Sequence, residues 1–215
     1  MLSGSGRLRL SGLGSHNARR AAIELIDSGV GALLSWGSAG GLDPGLRPGT
    51  LLLPEEVLTS EGRRFEVTAT WRAKLHELMS RQFDIHTGAL VQSLHPVTTA
   101  QQKQILFART GAVAVDTESA AIAEVAASRG LPFVAVRAVL DPATRDLPLS
   151  VLAAVDSSGR LLVKDLVRGL LRRPGDLPGI LLLWSDMRLA CSTLATVARL
   201  AGLQLGFRDL GIGAQ

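Results

Sequence analysis

Apolar positions along the chain alternate between two spacings. Arg7-Leu8-Arg9-Leu10 has period two and predicts a short strand, closed by Ser11-Gly12-Leu13-Gly14-Ser15. Ala18, Ala21, Ala22, Leu25 and Ile26 then recur at helical spacing, with Gly29 as the stop. Val30 to Ser35 reads as a buried strand running into a glycine-dense turn, Gly37-Ser38-Ala39-Gly40-Gly41. Extended segments follow at Thr50 to Val57 and Arg64 to Val67, then a helix from about Trp71 to Gln82. Strand and helix continue to alternate through Ala89 to Val91, Thr99 to Ala108, Ala112 to Val115, Glu118 to Ser128 and Phe133 to Val139. This order predicts an α/β fold with a largely buried sheet. Over 148–215 the spacing is mainly helical, broken at Pro174-Gly175 and restarted with Asp176 as candidate cap and Pro178 in the first turn. Helices there are expected to wrap the sheet. With no internal repeat and no clear linker, 1–215 reads as a single domain.

Composition narrows the class. A chain of 215 residues with 47% hydrophobic and 20% charged residues can bury a core and is not a disordered tail. Cys191 is the only cysteine, which excludes an internal disulfide and a multi-cysteine metal site and fits a cytoplasmic setting. The charge of +4 is spread over pairs such as Arg63-Arg64 and Arg172-Arg173, so nucleic acid is not the expected partner. No secretory signal is visible, and the longest stretch free of charge, Ile85 to Gln102, carries two histidines and a proline and does not read as a membrane span.

Three segments could carry chemistry. The Gly37 to Gly41 stretch lets backbone N–H groups and the Ser38 hydroxyl approach a phosphate or sugar, or it is only a turn; it lacks the pattern of a nucleotide-triphosphate or dinucleotide loop. Asp116-Thr117-Glu118 stands between a strand and a helix, where a carboxylate can take a pair of vicinal hydroxyls or simply cap the helix. Arg137 lies in an apolar strand closed by Asp141-Pro142; the arginine needs a carboxylate or ligand, and an acid at a strand's carboxyl end is a candidate catalytic group or a turn former. Trp36 is most simply core, while His16, Asn17 and His95 are turn or helix-start residues that could also reach a ligand.

Read in order, Ser35-Trp36-Gly37-Ser38-Ala39-Gly40-Gly41-Leu42, Ala114-Val115-Asp116-Thr117-Glu118-Ser119-Ala120 and Pro132 to Asp141 resemble the purine nucleoside phosphorylase and methylthioadenosine/adenosylhomocysteine nucleosidase superfamily, across roughly Arg7 to Asp146. The tail from Leu170 to Pro178 and the helix after it is similar to the hopanoid-associated phosphorylase branch, which is taken to release adenine from adenosylhopane with phosphate.

The resemblance implies a three-layer α/β/α sandwich with a central mixed sheet, the Ser38 segment, Glu118 and Asp141 converging at one edge. It implies Asp141 as the acid that protonates the purine at N7 and Glu118 as the ribose-binding carboxylate. Gly37, Ser38, Ala39 and Gly40 would lie beside the ribose and nucleophile, Thr117 beneath the ribose, Val97 against the base, and Arg137 would order the site. Neither metal nor cofactor is implied; inorganic phosphate is the co-substrate, with water as nucleophile in the nucleosidase alternative. A dimer or larger assembly is expected. Two positions depart from the family: Thr117 stands where methionine is frequent, and Thr50 where aspartate usually follows glycine. The family's first strand and turn, which carry a nucleophile-binding glycine loop or a glutamate that activates water, are not matched ahead of Arg7. An incomplete nucleophile site is therefore expected, and a nucleoside-binding protein with little or no turnover is the reading from another class. A lipid-tailed substrate would need an open apolar side. The run Ile180-Leu181-Leu182-Leu183-Trp184, with Met187, Leu189, Arg188 and Arg199, is either buried on the sheet or a partner or makes weak peripheral contact with a membrane.

Overall fold

The structure, a computed structural model, describes residues 7–156, 162–202 and 205–207. Its strands are β1 (Leu33–Gly41), β2 (Leu51–Leu52), β3 (Glu56–Leu58), β4 (Arg64–Glu66), β5 (Ile85–His86), β6 (Leu90–Gln92), β7 (Ala114–Asp116) and β8 (Phe133–Asp141). Its helices are α1 (Ser15–Asp27), α2 (Ala69–Met79), α3 (Ala100–Thr110), α4 (Ser119–Ser128), α5 (Leu149–Leu152), α6 (Val163–Arg172) and α7 (Leu177–Ala201). The strands form one mixed sheet in the order β4-β3-β6-β7-β1-β8-β2-β5, with β1 and β8 parallel and both β7 and β2 antiparallel to them. Helices cover both faces. Ala22 of α1 and Ala120, Ala123 and Ala126 of α4 pack on Leu33, Phe133, Ala135 and Val139. On the other face Trp71 and Leu75 of α2 and Val197 of α7 pack on Val134 and Val136, while Leu106 and Phe107 of α3 pack on Leu42, Leu58, Val91 and Val115. Every residue of β8 except Leu140 is buried, which is why its sequence runs apolar without alternation.

The α/β order read from periodicity stands, with four corrections. Arg7 to Leu10 is not a strand: it has no ladder partner, and Leu8 and Leu10 are 85% and 87% exposed. Both sides of β1 are already taken by β7 and β8, so alternation alone cannot create a strand there. Gly37 to Gly41 is not a turn but the second half of β1, paired residue by residue with β8 through Ala39↔Val139, where the register shifts. Its glycines answer to close approach, not to a reversal. Ile85–His86 adds a short strand at the sheet edge that the sequence pattern does not announce. Asp176 does stand at the start of α7, but its carboxylate accepts from Ser150 N (3.0 Å) and Ser150 Oγ (2.6 Å), satisfying the start of α5 instead of its own helix. Of the helical tail, 157–161, 203–204 and 208–215 lie outside the described residues.

Candidate active site

Gly37 has to be glycine because of Arg137. A Cβ at that position would meet Arg137 Nη1 at 2.4 Å, so the missing side chain is what lets the guanidinium lie flat beneath β1. Arg137 is 3% exposed and held through two of its nitrogens: Nε donates to Asp116 Oδ2 (2.8 Å), and Nη2 donates to Ser35 Oγ (2.6 Å) and Ser119 Oγ (2.8 Å). Asp116 Oδ1 in turn accepts from the backbone N–H of Glu118 (3.2 Å) and Ser119 (3.1 Å), closing the first turn of α4. The network joins β1, β7, β8 and α4 at one point, and it fixes the backbone from which Thr117 and Glu118 emerge.

Glu118 is half-buried and reaches the opposite way, toward the start of α1. Its Oε1 accepts from Gly14 N (3.0 Å) and from the Thr117 hydroxyl, and Oε2 lies 3.3 Å from Thr117 N. Gly14 adopts φ 90°, a left-handed conformation that suits glycine and aims its N–H at the carboxylate. The glycine turn ahead of α1 thus enters the site through its backbone. His16 and Asn17 lie within α1, where Asn17 Nδ2 donates to Leu13 O (2.9 Å).

Asp141 ends β8 opposite Gly40, where a Cβ would sit in ordinary van der Waals contact, 3.4 Å from Asp141 Oδ1 and 3.4 Å from Val115 Cγ1. The carboxyl is 5% exposed, and its Oδ2 accepts from Lys103 of α3. Burial pushes the Asp141 carboxyl above the ordinary carboxylate range, while Lys103 and, more weakly, Arg145 pull it back. Lys103 is 0% exposed and is the residue that sequence reading missed. A signal was present, since Lys103, Leu106, Phe107 and Thr110 recur at the spacing of one helical face and two of them are core. A lysine on the inward stripe of a helix calls for a buried acid.

The register gathers these groups. With Gly40 opposite Val115 on one side and Asp141 on the other, the 116–118 turn and Asp141 flank the Gly37–Gly41 half of β1. Ser38 is exposed in mid-strand, a place where the helical cover of the sheet is open, and Ala39 is buried. Val97 packs in the cluster that holds Val115, beside Gly40, while His95 is exposed. The two carboxylates are held by different layers, Glu118 by the start of α1 and Asp141 by α3, and Arg137 lies within the protein beneath both. Leu147, Pro148, Gly179 and Leu183 line a small cavity together with Asp141 and Arg145. Trp36 is part of the core between the sheet and α7, and Thr50 Oγ1 accepts from Arg47 N at 3.3 Å. A cleft of about 310 Å³ lies elsewhere, between 8–11 and α1, lined by Arg9, Asn17, Arg20 and Glu24.

Comparison with known proteins points one way. The sequence profile of the phosphorylase superfamily matches residues 6–171. A provisionally assigned methylthioadenosine nucleosidase from Weissella paramesenteroides is 26% identical with a TM-score of 0.58, over 62% of this chain and 68% of its own. The futalosine hydrolase of Helicobacter pylori is similar at 22% identity and TM-score 0.57, over 61% and 66%. The 5′-methylthioadenosine/S-adenosylhomocysteine nucleosidase of the same organism, bound to butyl-thio-DADMe-Immucillin-A, is similar at 20% identity and TM-score 0.61, over 75% and 78%.

Proposed function

The chain belongs to the phosphorylase superfamily, and on that footing we propose that it releases adenine from a 5′-substituted adenosine by transferring the ribosyl group to phosphate, with adenosylhopane the favoured substrate. The observation that carries this reading is the placing of a buried carboxyl and a half-buried carboxylate on either side of the glycine half of β1. Breaking an N-glycosidic bond develops positive charge at C1′ and negative charge on the base, so the reaction asks for an acid at the base and an anion at the sugar. Asp141, whose burial favours the protonated form, donates its proton to N7 as the C1′–N9 pair of electrons leaves with the purine. Glu118 takes the ribose hydroxyls after exchanging its contacts to Thr117 and Gly14 for them. Ser38, Gly37, Ala39 and Gly40 border the sugar and the nucleophile, Thr117 lies under the ribose, Val97 meets the base, and Arg137 keeps the Asp116–Ser119 turn in place.

Water as nucleophile is the second reading, favoured because the solved structures named above are nucleosidases or hydrolases. The two separate in one assay. Adenine release from 5′-methylthioadenosine or adenosylhopane that requires phosphate and yields a ribose 1-phosphate product supports the phosphorylase; release at the same rate without phosphate rejects it. Asp141→Asn is expected to lower kcat by about 10²-fold or more, the usual span of a general acid. Calorimetric binding of adenine without any release would identify a nucleoside-binding protein instead.

A lipid-tailed substrate extends the proposal to the outer helices. In α7 the buried stripe is Asp186, Ala190, Thr193 and Val197, whereas Leu181, Leu182, Trp184, Met187 and Leu189 are exposed, so the helix turns its apolar side outward. By length and composition Pro174–Ala201 could cross a membrane. In α6 the exposed Val163, Val167 and Leu171 are followed one residue on by Lys164, Arg168 and Arg172. Arg188 stacks over the Trp184 ring at 5.4 Å. Apolar side chains rimmed by cations suit an anionic lipid surface better than a second copy bearing the same charges.

A further inference from the structure

Lys103 is a buried cation for which the reaction just described has no use. Its ammonium has three N–H bonds and three acceptors: Asp141 Oδ2, Pro142 O at 2.7 Å and Arg145 O at 2.9 Å. Taking an ammonium fully out of water is costly unless it is paired, so a position that needed only bulk would hold leucine or methionine. Its helix is also tied to the same turn twice more. Ala100 N donates to Asp146 Oδ1 (2.7 Å), and Leu147 N donates to Thr98 O (2.7 Å). The start of α3 and the 141–147 turn therefore form one rigid unit, with the lysine at its centre and all its donors spent. Asp141 Oδ1 accepts no hydrogen bond among the described residues, and a Cβ on Gly40 would lie 3.4 Å from it and 3.7 Å from Oδ2.

We propose that Lys103 is the positioning residue for proton donation by Asp141: it fixes Oδ2, leaves Oδ1 to carry the proton toward the base, and neutralises the carboxylate left behind. The inference rests on the reading of Asp141 as the acid. In the step itself the Oδ1–H bond breaks and N7–H forms. The C1′–N9 bond breaks with its electrons going to the purine, and the nucleophile's oxygen bonds to C1′. Negative charge that was absent from Asp141 before the step is present after it in a buried position, and Lys103 is the cation in contact with it. An interaction that strengthens as charge develops acts on the transition state and not on substrate binding. The other charged groups facing Asp141 are Arg145 of the turn and Asp186 of α7, which form an ion pair at 2.6 Å and largely cancel one another.

The test is Lys103→Gln, whose side-chain amide can still donate to the two carbonyls and so keep the turn, beside Lys103→Arg, which keeps the cation. Melting and circular dichroism verify the fold of each. For Lys103→Gln, kcat is expected to fall by about tenfold or more while KM changes by less than about threefold, the pattern of a group felt only in the transition state. Without the cation Asp141 holds its proton to higher pH, so the descending limb of the kcat–pH profile moves up, and in Lys103→Arg it stays near the wild-type position. A limb that does not move in Lys103→Gln overturns the proposal and leaves Lys103 a structural residue. If the wild-type protein releases no adenine, or Asp141→Asn releases it at the wild-type rate, the functional reading fails by itself. The pair is then decided by 13C NMR titration of the Asp141 carboxyl: a midpoint raised in Lys103→Gln supports control by Lys103, and equal midpoints overturn it.

Discussion

Arg137 and Asp116 illustrate how single residues make this sheet depend on charge. Their side chains are 4% and 2% exposed, so removing either partner strands the other in a low-dielectric interior. Arg137→Met is expected to destabilise the protein by about 3–5 kcal/mol in urea denaturation, well beyond what the lost apolar area would give. Ser35 and Ser119, 3.0 Å apart, would be left to each other. Gly37 belongs to the same site. Gly37→Ala places a methyl 2.4 Å from Arg137 Nη1, and the guanidinium must move from its acceptors to admit it. A loss of about 1–3 kcal/mol is expected, the usual cost of overpacking, and combining Gly37→Ala with Arg137→Met should be distinctly less than additive.

At the scale of elements, two junctions hold the site's layers in register. Helix α3 starts with a capping box in which Gln102 N donates to Thr99 Oγ1 (3.2 Å) and Thr99 N donates to Gln102 Oε1 (3.2 Å). Lys103 follows at once, so fraying there loosens the grip on Asp141. Thr99→Ala is expected to cost about 0.5–2 kcal/mol and to lower kcat more than it raises KM. The second junction is Glu124 of α4, paired with Arg63 at 2.5 Å and with Arg19 of α1. The Arg63 and Arg19 bonds hold its carboxyl below the ordinary glutamate range. A lowered pKa adds stability above the unfolded value of about 4.3, and that stability is lost as pH falls through the folded value. Denaturation midpoints measured at neutral pH and again near pH 3 should therefore separate wild type from Glu124→Gln at neutral pH and bring them together in acid.

For the whole molecule, the outer face of α7 is the feature that a lone chain does not explain. The helix is fastened from within: Thr193 Oγ1 donates to Gly49 O (2.7 Å), Arg145 pairs with Asp186, and Trp71 Nε1 donates to Leu205 O (2.7 Å) beyond its end. Its apolar outer side is thus displayed by a held helix, not by a loose one. Wild type is expected to co-sediment with phosphatidylglycerol vesicles and not with phosphatidylcholine vesicles, and Trp184→Glu, if folded, to lower the bound fraction. Binding should weaken as salt shortens the screening length from about 10 Å near 0.1 M to about 3 Å near 1 M. A dimer mass by light scattering, with no vesicle binding, would assign the face to a second copy.

Sequence by itself determined the order of elements, because helical and strand periodicities are local and each buried face has to be apolar along its own segment. It also determined the three segments that meet at β1, since their chemistry is visible residue by residue and their resemblance to one family is shared with the profile match over 6–171. What it could not fix were features decided by neighbours distant in the chain. Arg7 to Leu10 has a strand's alternation and no ladder partner; Gly37 to Gly41 has a turn's composition and a strand's pairing, with Gly37 admitting Arg137 from the next strand. Lys103 stands on the inward stripe of α3, but its partner Asp141 lies 38 residues further on, and only the packing of α3 across the end of β8 brings the two together. Periodicity reports which face of an element is covered; only the packed structure reports what covers it, and with it which charge must answer which.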